Sequence, residues 1–135
     1  MATVLVNAGT AIASGRMIGA TPSQAEPKFI GFGTSAGTAA VADTTLFGEK
    51  DPSGSASGSR TSGSSSQQTT TNTNDTYQVT GTMTASATLA VTNAGLFDNV
   101  TIASGTLFVK GDFATINLSS GDSISFTIKV KFVAG

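Results

Sequence analysis

Residues 123–132 read Ser-Ile-Ser-Phe-Thr-Ile-Lys-Val-Lys-Phe, and this stretch decides the fold class. Large apolar side chains occupy every second position, and Ser, Thr or Lys occupies the positions between them. Successive side chains of a β-strand point to opposite faces, so the alternation predicts a strand with one buried face. Its β-branched and aromatic residues suit a half-buried pleated surface. Residues 119–122, Ser-Ser-Gly-Asp, predict a turn before this strand, and residues 113–118 predict the strand that precedes the turn.

A second alternating segment runs from Tyr77 to Val91. Its odd positions are mostly apolar, and its even positions from 78 to 88 are Gln, Thr or Ser. The pattern predicts either one long strand bent near Gly81 or two strands in which that glycine marks a bulge. Shorter strands are predicted at residues 3–6, 28–33 and 106–110, the last ending at Gly111-Asp112. Residues 39–47 fit a short helical turn or an extended segment, and no stretch carries an apolar stripe at helical spacing.

These patterns predict a single β domain over residues 1–135, an all-β, antiparallel β-sandwich of jelly-roll-like form. Residues 51–75 are rich in Ser, Gly and Thr and form a polar, low-complexity arm or long loop within that domain. Such a stretch has too little apolar surface to offset its ordering entropy alone. We therefore expect a neighbouring subunit or a long polar hairpin to order it.

The composition excludes several classes of function. The chain has no Cys and no His, so disulfides, thiolate metal sites and the commonest general base are missing. Its many serines have no partner base to activate them. Only 11% of residues are charged, and the seven Lys and Arg residues are scattered, which argues against a nucleic-acid partner. A surface of Ser, Thr, Asn, Gly and Ala loses its water cheaply and suits dense packing among subunits.

The acidic residues do not form a convincing site. The candidate calcium ligands are Asp98, Asp112 and Asp122. Calcium needs about six to eight oxygen ligands from a converging loop, and these aspartates are predicted to lie in separate turns. The only glutamates, Glu26 and Glu49, lie in regions predicted to be irregular, so no pair of catalytic glycosidase carboxylates is predicted. No helix is predicted after the glycines at 31, 33 and 37, so they do not indicate a phosphate-binding loop. We predict no enzyme activity, no catalytic, cofactor-binding or metal residues, and no small-molecule substrate.

Targeting signals are not evident at the start of the sequence. Residues 1–6 have neither a charged n-region nor an apolar segment of signal-peptide length, and no later run approaches about 18 apolar residues. We expect a protein that is made in a host cytoplasm and is not inserted in a membrane. Glycosylation patterns begin at Asn74, Asn99 and Asn117, and without a secretory signal they are interpreted as chance matches.

Several segments resemble a pattern found in tailed-bacteriophage virion proteins. They are residues 92–98 (Thr-Asn-Ala-Gly-Leu-Phe-Asp), 105–108 (Gly-Thr-Leu-Phe) and 120–128 (Ser-Gly-Asp-Ser-Ile-Ser-Phe-Thr-Ile). In that pattern an AGLFD turn, a GxLF strand and a final GDxxxFT strand close a β-sandwich. Residues 29–34 and 43–47 are similar to the opening of the same group. The resemblance covers roughly residues 27–49 and 75–132. It implies a protein of the phage particle, and it is poorly specific for the position of that protein within the particle.

The same motif has a physical interpretation as architecture. Asn93, Gly95 and Asp98 are turn formers, and Gly95 is expected to supply a backbone angle that other residues resist. Leu96 and Phe97 are expected to plug the end of the core. The side chains expected to fill that core are Phe108, Phe113, Phe126 and Phe132.

The resemblance, the size and the low charge together favour a capsid decoration (cement) protein. Such a protein would bind the outer, virion surface of the head and stabilise contacts between capsomers. The expected partners are the major capsid protein and copies of this chain, as a homotrimer, because three-fold positions on a capsid lattice favour that state. The alternative is a tail, baseplate or fibre-base structural protein, since the same motifs occur there.

Overall fold

The computed structural model describes residues 2–18 and 24–135, which form nine strands and one helix. The strands are Thr3–Leu5 (β1), Phe29–Gly33 (β2), Glu49–Lys50 (β3), Thr61–Ser62 (β4), Ser64–Gln68 (β5), Thr76–Thr84 (β6), Leu89–Phe97 (β7), Leu107–Leu118 (β8) and Ser123–Lys131 (β9); the helix is Asn7–Met17 (α1). The strands predicted at residues 3–6, 28–33 and 123–132 are confirmed to within about one residue at each end.

The strands form two antiparallel sheets. The larger sheet has the order β1-β8-β7-β2-β3, with β4 also paired to β2, and the smaller has the order β5-β6-β9. The chain passes from one sheet to the other at Gly63, between β4 and β5, where the side chain of Val79 leaves no room for a Cβ atom. The predicted all-β antiparallel sandwich is therefore confirmed.

The main core lies between the two sheets. The larger sheet contributes Ile30, Phe32, Val91, Leu96 and Phe108, and the smaller sheet contributes Val79, Met83, Phe126 and Val130. Each fully buried aliphatic or aromatic side chain stabilises the fold by about 1.5–3 kcal/mol relative to exposure. Because these residues come from strands distant in sequence, the core ties both halves of the chain together.

The segment from Tyr77 to Val91 forms two strands, but the break lies at residues 85–88 and not at Gly81. The strands β6 and β7 belong to different sheets. Gly81 lies inside β6, where a Cβ atom would come within 2.7 Å of the Ile30 side chain in the facing sheet. The glycine therefore permits close approach of the sheets, and the prediction of a bend or bulge there was wrong.

The two strands predicted on either side of Gly111-Asp112 are one strand, β8. Gly111 and Asp112 stay in register with Ala94 and Asn93 of β7, so the predicted strand end there was wrong. The register shifts twice along this pair. One extra β8 residue lies between the Leu96 and Phe97 pairings, and residues 113–115 face a single β7 residue further along. Such bulges bend a strand and redirect its side chains.

The helix α1 was not predicted. Ala, Gly and Ser supply much of its sequence, and only Gly9 and Ile12 are buried, so the apolar stripe that usually marks a helix is missing. A Cβ atom at Gly9 would collide with the main-chain oxygen of Phe108, so this glycine sets the helix close against β8. Residues 39–47, left open between helix and extended chain, form neither a helix nor a strand; they are irregular, with a turn at residues 41–42 and a second turn beginning at Phe47.

Residues 51–75 contain β4, β5 and two turns that hydrogen bonds hold in place. The Asp51 carboxylate accepts hydrogen bonds from the main-chain N–H groups of Ser53 and Ser55, both at 2.9 Å. The strand β5 pairs along its whole length with β6. At the end of this hairpin Asp75 accepts main-chain hydrogen bonds at 2.8–2.9 Å from residues 70–72. This polar segment is thus ordered by its own hydrogen bonds within the chain.

Three expectations about the phage-like motif need correction. Asn93 and Gly95 lie within β7 and do not have a positive φ, so neither forms a turn. Phe132 follows the end of β9 and is 47% exposed, so it does not fill the core. Phe108 and Phe126 are buried and Phe113 is half-buried. The motif therefore marks a core strand and its neighbours, with the turn beginning only at Asp98.

Candidate functional site

Residues 34–48, here called the strap, cover the outer face of the larger sheet. Leu46 lies over two glycines of adjacent strands, and Cβ atoms at Gly31 and Gly95 would come within 3.0 and 3.1 Å of its side chain. Leu46 belongs to a second small core with Val6 and other buried side chains of this face. The glycines of the phage-like segments therefore form a flat platform on which the strap packs.

A buried ion pair joins the strap to β8. The Nζ atom of Lys110 lies 2.9 Å from Oδ2 of Asp43, donates to the carbonyl oxygen of Thr45 at 2.8 Å, and sits 3.1 Å from the ring centroid of Phe47. The Lys110 side chain is completely buried. The hydrogen bond from Lys110 holds the pKa of Asp43 below its ordinary value, so this carboxylate is ionised near neutral pH.

Asn93 and Asp112 fasten the strap further along the same face. Asn93 is fully buried; its amide oxygen accepts from Phe47 N at 3.0 Å, and its amide nitrogen donates to the Phe47 and Ser35 carbonyls at 3.1 and 3.3 Å. Asp112 accepts from the main-chain N–H of Ala39 at 2.7 Å, and this bond lowers the pKa of the Asp112 carboxyl. Two side chains thus satisfy main-chain groups that the irregular strap cannot pair itself.

Arg60 forms a second buried ion pair on the same face of the sheet, where Glu49 and Phe97 lie beside Leu46 over Gly31. Its Nε and Nη2 atoms donate to the two carboxylate oxygens of Glu49 at 2.6 and 3.1 Å. Its Nη1 atom donates to three main-chain oxygens between residues 99 and 104, each at 2.8 Å. The guanidinium lies 3.4 Å from the ring centroid of Phe97. The planar guanidinium carries several N–H donors in fixed directions, so one side chain can bind a carboxylate and several carbonyl groups at once.

The buried charges of Lys110 and Arg60 tie the strap and residues 99–104 to the larger sheet. In the described ranges, every buried side-chain nitrogen or oxygen has a hydrogen-bond partner. A general base or nucleophile needs a reachable proton or lone pair, and here Asp43 and Glu49 are committed to cations. We interpret both ion pairs as structural. Sequence reasoning missed Lys110 and Arg60, and it assigned Asn93 to a turn when this residue lies buried in β7.

The acidic residues weighed as metal ligands have separate local roles. Asp98 accepts from the main-chain N–H of Thr106, and Asp122 accepts from that of Ser119, at 2.6 and 2.8 Å. Asp112 lies in β8, so placing it in a turn was wrong. Across residues 2–18 and 24–135, no three His, Cys, Asp or Glu side chains converge as metal ligands would.

Glu26 lies beside Tyr77 at one end of the sandwich. The Tyr77 hydroxyl donates to the Pro27 carbonyl at 3.2 Å and lies 3.5 Å from Glu26 Oε1, which also accepts from the Ser65 hydroxyl. Burial raises the pKa of Tyr77, and the nearby Glu26 charge raises it further. The phenol therefore stays protonated, and it acts as a hydrogen-bond donor that fixes the chain before β2.

An exposed apolar patch lies where α1 and β9 both end. We call it the helix-end patch and define it as Met17, Ile18, Phe132 and Val133. The exposed fractions of these side chains are 77%, 79%, 47% and 76%, in that order. Met17 and Phe132 line one pocket of about 330 Å3, which places the two chain segments side by side. Ile18 and Val133 are the next residues along these segments, and exposed apolar side chains gathered at one place usually mark an interaction surface.

The sandwich is open along one long side, between β8 and β9. A groove of about 510 Å3 lies there, lined by apolar residues that include Phe113, Ile116, Ile124 and Ile128. Within the described residues, β9 pairs only with β6, and the part of β8 beyond Asp112 pairs only with β7. Two strand edges with unpaired main-chain groups therefore flank an apolar groove, which we call the open side.

The outer face of the smaller sheet is covered by hydroxyl groups. Thr82 and Ser125 share a hydrogen bond at 2.9 Å between neighbouring strands, and Thr84 and Ser123 share one at 2.7 Å. The side chains of β5 are exposed along the whole strand and are Ser or Gln. This face is uncharged apart from lysines near the end of β9.

Comparisons with protein-family models, with curated proteins and with solved structures find no match to this chain. The class that the fold itself defines is an antiparallel β-sandwich with a strapped outer face and an open side. No helix in residues 2–18 and 24–135 has the length and apolar content needed to span a membrane.

Proposed function

We propose that this chain is a phage capsid decoration protein, a non-enzymatic subunit that binds the outer surface of the head and stabilises contacts between capsomers. The helix-end patch carries the proposal. Four large apolar side chains stand exposed there on a surface that is otherwise dominated by hydroxyl groups. The similarity of residues 92–98 and 120–128 to phage virion proteins supplies the setting.

The physical case for a cement role depends on repetition. Burial of apolar surface stabilises a contact by about 25 cal/mol per Å2, and a small patch alone does not offset the freedom lost on binding. Many copies on a symmetric shell multiply a weak contact into a strong one. Three copies around a three-fold position, each presenting its helix-end patch to the major capsid protein, provide that repetition.

The test uses heads of the encoding phage assembled without this chain. Purified protein should co-sediment with these heads and raise the temperature at which they release DNA. Val133→Lys places a charge in the helix-end patch and should weaken binding about tenfold or more, since a buried unpaired charge is costly. Val41→Lys is the matched control, because Val41 is also exposed but lies on the strap near the start of α1.

Two outcomes would refute the decoration role: failure of the wild-type protein to bind heads, and unchanged head stability at saturation. Equal effects of the two lysine variants would refute the helix-end patch as the binding surface. Immunogold labelling of whole particles provides an independent measurement. Gold on the head supports decoration, whereas gold confined to the tail replaces this function with the tail or baseplate alternative.

A further inference from the structure

Strand β9 presents a full-length edge that the described chain does not cover. It pairs with β6 through all nine residues, and its other edge borders the open side. The outer edge of β5 is also free, but every β5 side chain is exposed and polar, so a partner there would bury nothing apolar. A strand added at β9 would cover Ile124 and Ile128, which are only half-buried now.

The sequence of β9 is complementary to itself in the antiparallel direction. Directly opposite residues of an antiparallel pair share a face, so a usable register must place polar residues opposite polar and apolar opposite apolar. A two-fold axis through Thr127, the midpoint of Ser123–Lys131, does so and pairs the whole strand. The opposite pairs are then Ser123 with Lys131, Ile124 with Val130, Ser125 with Lys129, and Phe126 with Ile128.

Charge also favours this register. Both lysines of one β9 face serines of the other, so no two like charges are opposite each other. A register centred on Lys129 would instead place that lysine against its own copy, and like charges directly opposite destabilise a sheet. Registers centred on Phe126 or Ile128 also avoid the clash, but they leave residues at the strand ends unpaired.

We propose that a second copy of this chain binds along β9, antiparallel and with its two-fold axis at Thr127, so that the smaller sheets of two copies form one six-stranded sheet. The contact extends over the open side and covers the apolar groove. It is two-fold, and it is therefore a different contact from the one that gathers three copies. It joins either two single subunits or two trimers.

Single cysteines test the register directly, because the chain contains no cysteine of its own. Thr127→Cys should form a disulfide dimer under mild oxidation, since the two copies of residue 127 face each other across the axis with Cβ atoms about 4.5–5.5 Å apart. Thr80→Cys is the matched control, because Thr80 is exposed and pairs with Thr127 from the inner strand β6. Its two copies would lie about 14 Å apart, three strand spacings, and should not cross-link.

A mixing experiment separates the neighbouring registers. Ser125→Cys and Lys129→Cys should each fail to cross-link alone, because copies four residues out of register lie about 13 Å apart. The two variants mixed together should cross-link, because residue 125 of one copy is opposite residue 129 of the other. A register centred on Phe126 or Ile128 predicts no such mixed product.

Charge variants test the contact without a covalent bond. In sedimentation equilibrium, Ser125→Lys should raise the dissociation constant about fivefold, and Ser125→Glu should lower it by a similar factor through its pair with Lys129. Thr82→Lys adds the same charge on the same face one strand further in, and it removes the same Thr82–Ser125 hydrogen bond. This control should associate as the wild type does.

The two-fold contact is refuted if wild-type protein sediments as a monomer at every concentration, if Ser125→Lys has the same dissociation constant as the wild type, or if Thr80→Cys cross-links as readily as Thr127→Cys. Its failure is distinct from failure of the decoration role. Pairing through β9 is measured on purified protein, whereas decoration is measured on heads with variants of the helix-end patch.

Discussion

The Lys110–Asp43 pair predicts an unequal response to the loss of each partner. The Lys110 side chain is fully buried and that of Asp43 is 22% exposed, so only the carboxylate can reach water. Asp43→Asn keeps the acceptor for the Ala40 main-chain N–H but leaves a buried ammonium without a counter-charge. Lys110→Met fills the same volume with an apolar side chain and leaves a carboxylate that water can hydrate. Asp43→Asn should therefore be the more destabilising change.

The magnitudes follow from burial. Removing one partner of a buried ion pair costs about 3–5 kcal/mol. We expect about 3 kcal/mol for Asp43→Asn, since the Thr45 carbonyl and the Phe47 ring still contact the ammonium. We expect about 1–2 kcal/mol for Lys110→Met, the cost of an unpaired Thr45 carbonyl and a hydrated carboxylate. The double variant should also lose only about 1–2 kcal/mol, because no buried charge remains.

Urea unfolding followed by far-UV circular dichroism measures these differences at pH 7. Lys28→Met is the control, because Lys28 and Glu26 form a half-exposed, solvent-screened pair at 3.6 Å whose loss should cost less than about 0.5 kcal/mol. Two results would contradict the reasoning. One is a Lys110→Met variant that is less stable than Asp43→Asn, and the other is a double variant whose loss equals the sum of the single losses.

Three further comparisons, which use five variants, test the packing and the hairpin by unfolding in urea. Gly95→Ala should cost about 2 kcal/mol, since its Cβ would lie 2.5 Å from a main-chain oxygen of β8. Gly121→Ala should cost about 1 kcal/mol, because its φ is +96° although no atom lies within 4 Å of the added Cβ. The reverse order of these costs would contradict the close packing inferred at Gly95. Phe126→Ala should cost about 3–4 kcal/mol and the exposed Phe132→Ala less than about 1 kcal/mol. Main-chain hydrogen bonds, from Asn72 above all, hold the pKa of Asp75 below its ordinary value. The stabilising effect of the Asp75 carboxylate is therefore complete above about pH 4 and is lost as the pH falls further. The difference in unfolding free energy between the wild type and Asp75→Asn should stay constant from about pH 5 to pH 7 and shrink between about pH 4 and pH 2.

Strand alternation predicted the sandwich, but not where strands end. The run at residues 123–132 faces the core on one side only, so its period of two identifies the strand directly. The break at residues 85–88 was missed because Ala85 and Ala87 continue the same alternation while the chain changes sheets. The helix was missed for a related reason. It buries Gly9 and Ile12 alone, and a glycine leaves no apolar signal in the sequence.

The buried polar residues were only partly accessible to sequence reasoning. Lys110 ends an apolar run at residues 107–110, and a lysine in such a run could have been interpreted as a buried cation. Its partner lies 67 residues away on the strap, and no local pattern connects the two. Arg60 sits in a Ser/Gly-rich stretch typical of a solvated loop. Its burial depends on carbonyl groups from residues 99–104 that only the folded chain brings together.

These ion pairs also change what the composition means for assembly. Lys110 and Arg60 are two of only seven cationic residues, and both are buried against acidic partners. The exposed surface is therefore less charged than the composition of 11% charged residues indicates. Exposed charges hold water and repel like neighbours, so burying Lys110 and Arg60 and pairing each with a carboxylate lowers the cost of covering the surface with another subunit. The same four side chains fasten the strap and the 99–104 turn where the apolar core is thin. Internal cohesion and a neutral exterior thus have one structural cause, and a variant that breaks either pair should weaken the fold before it alters the surface.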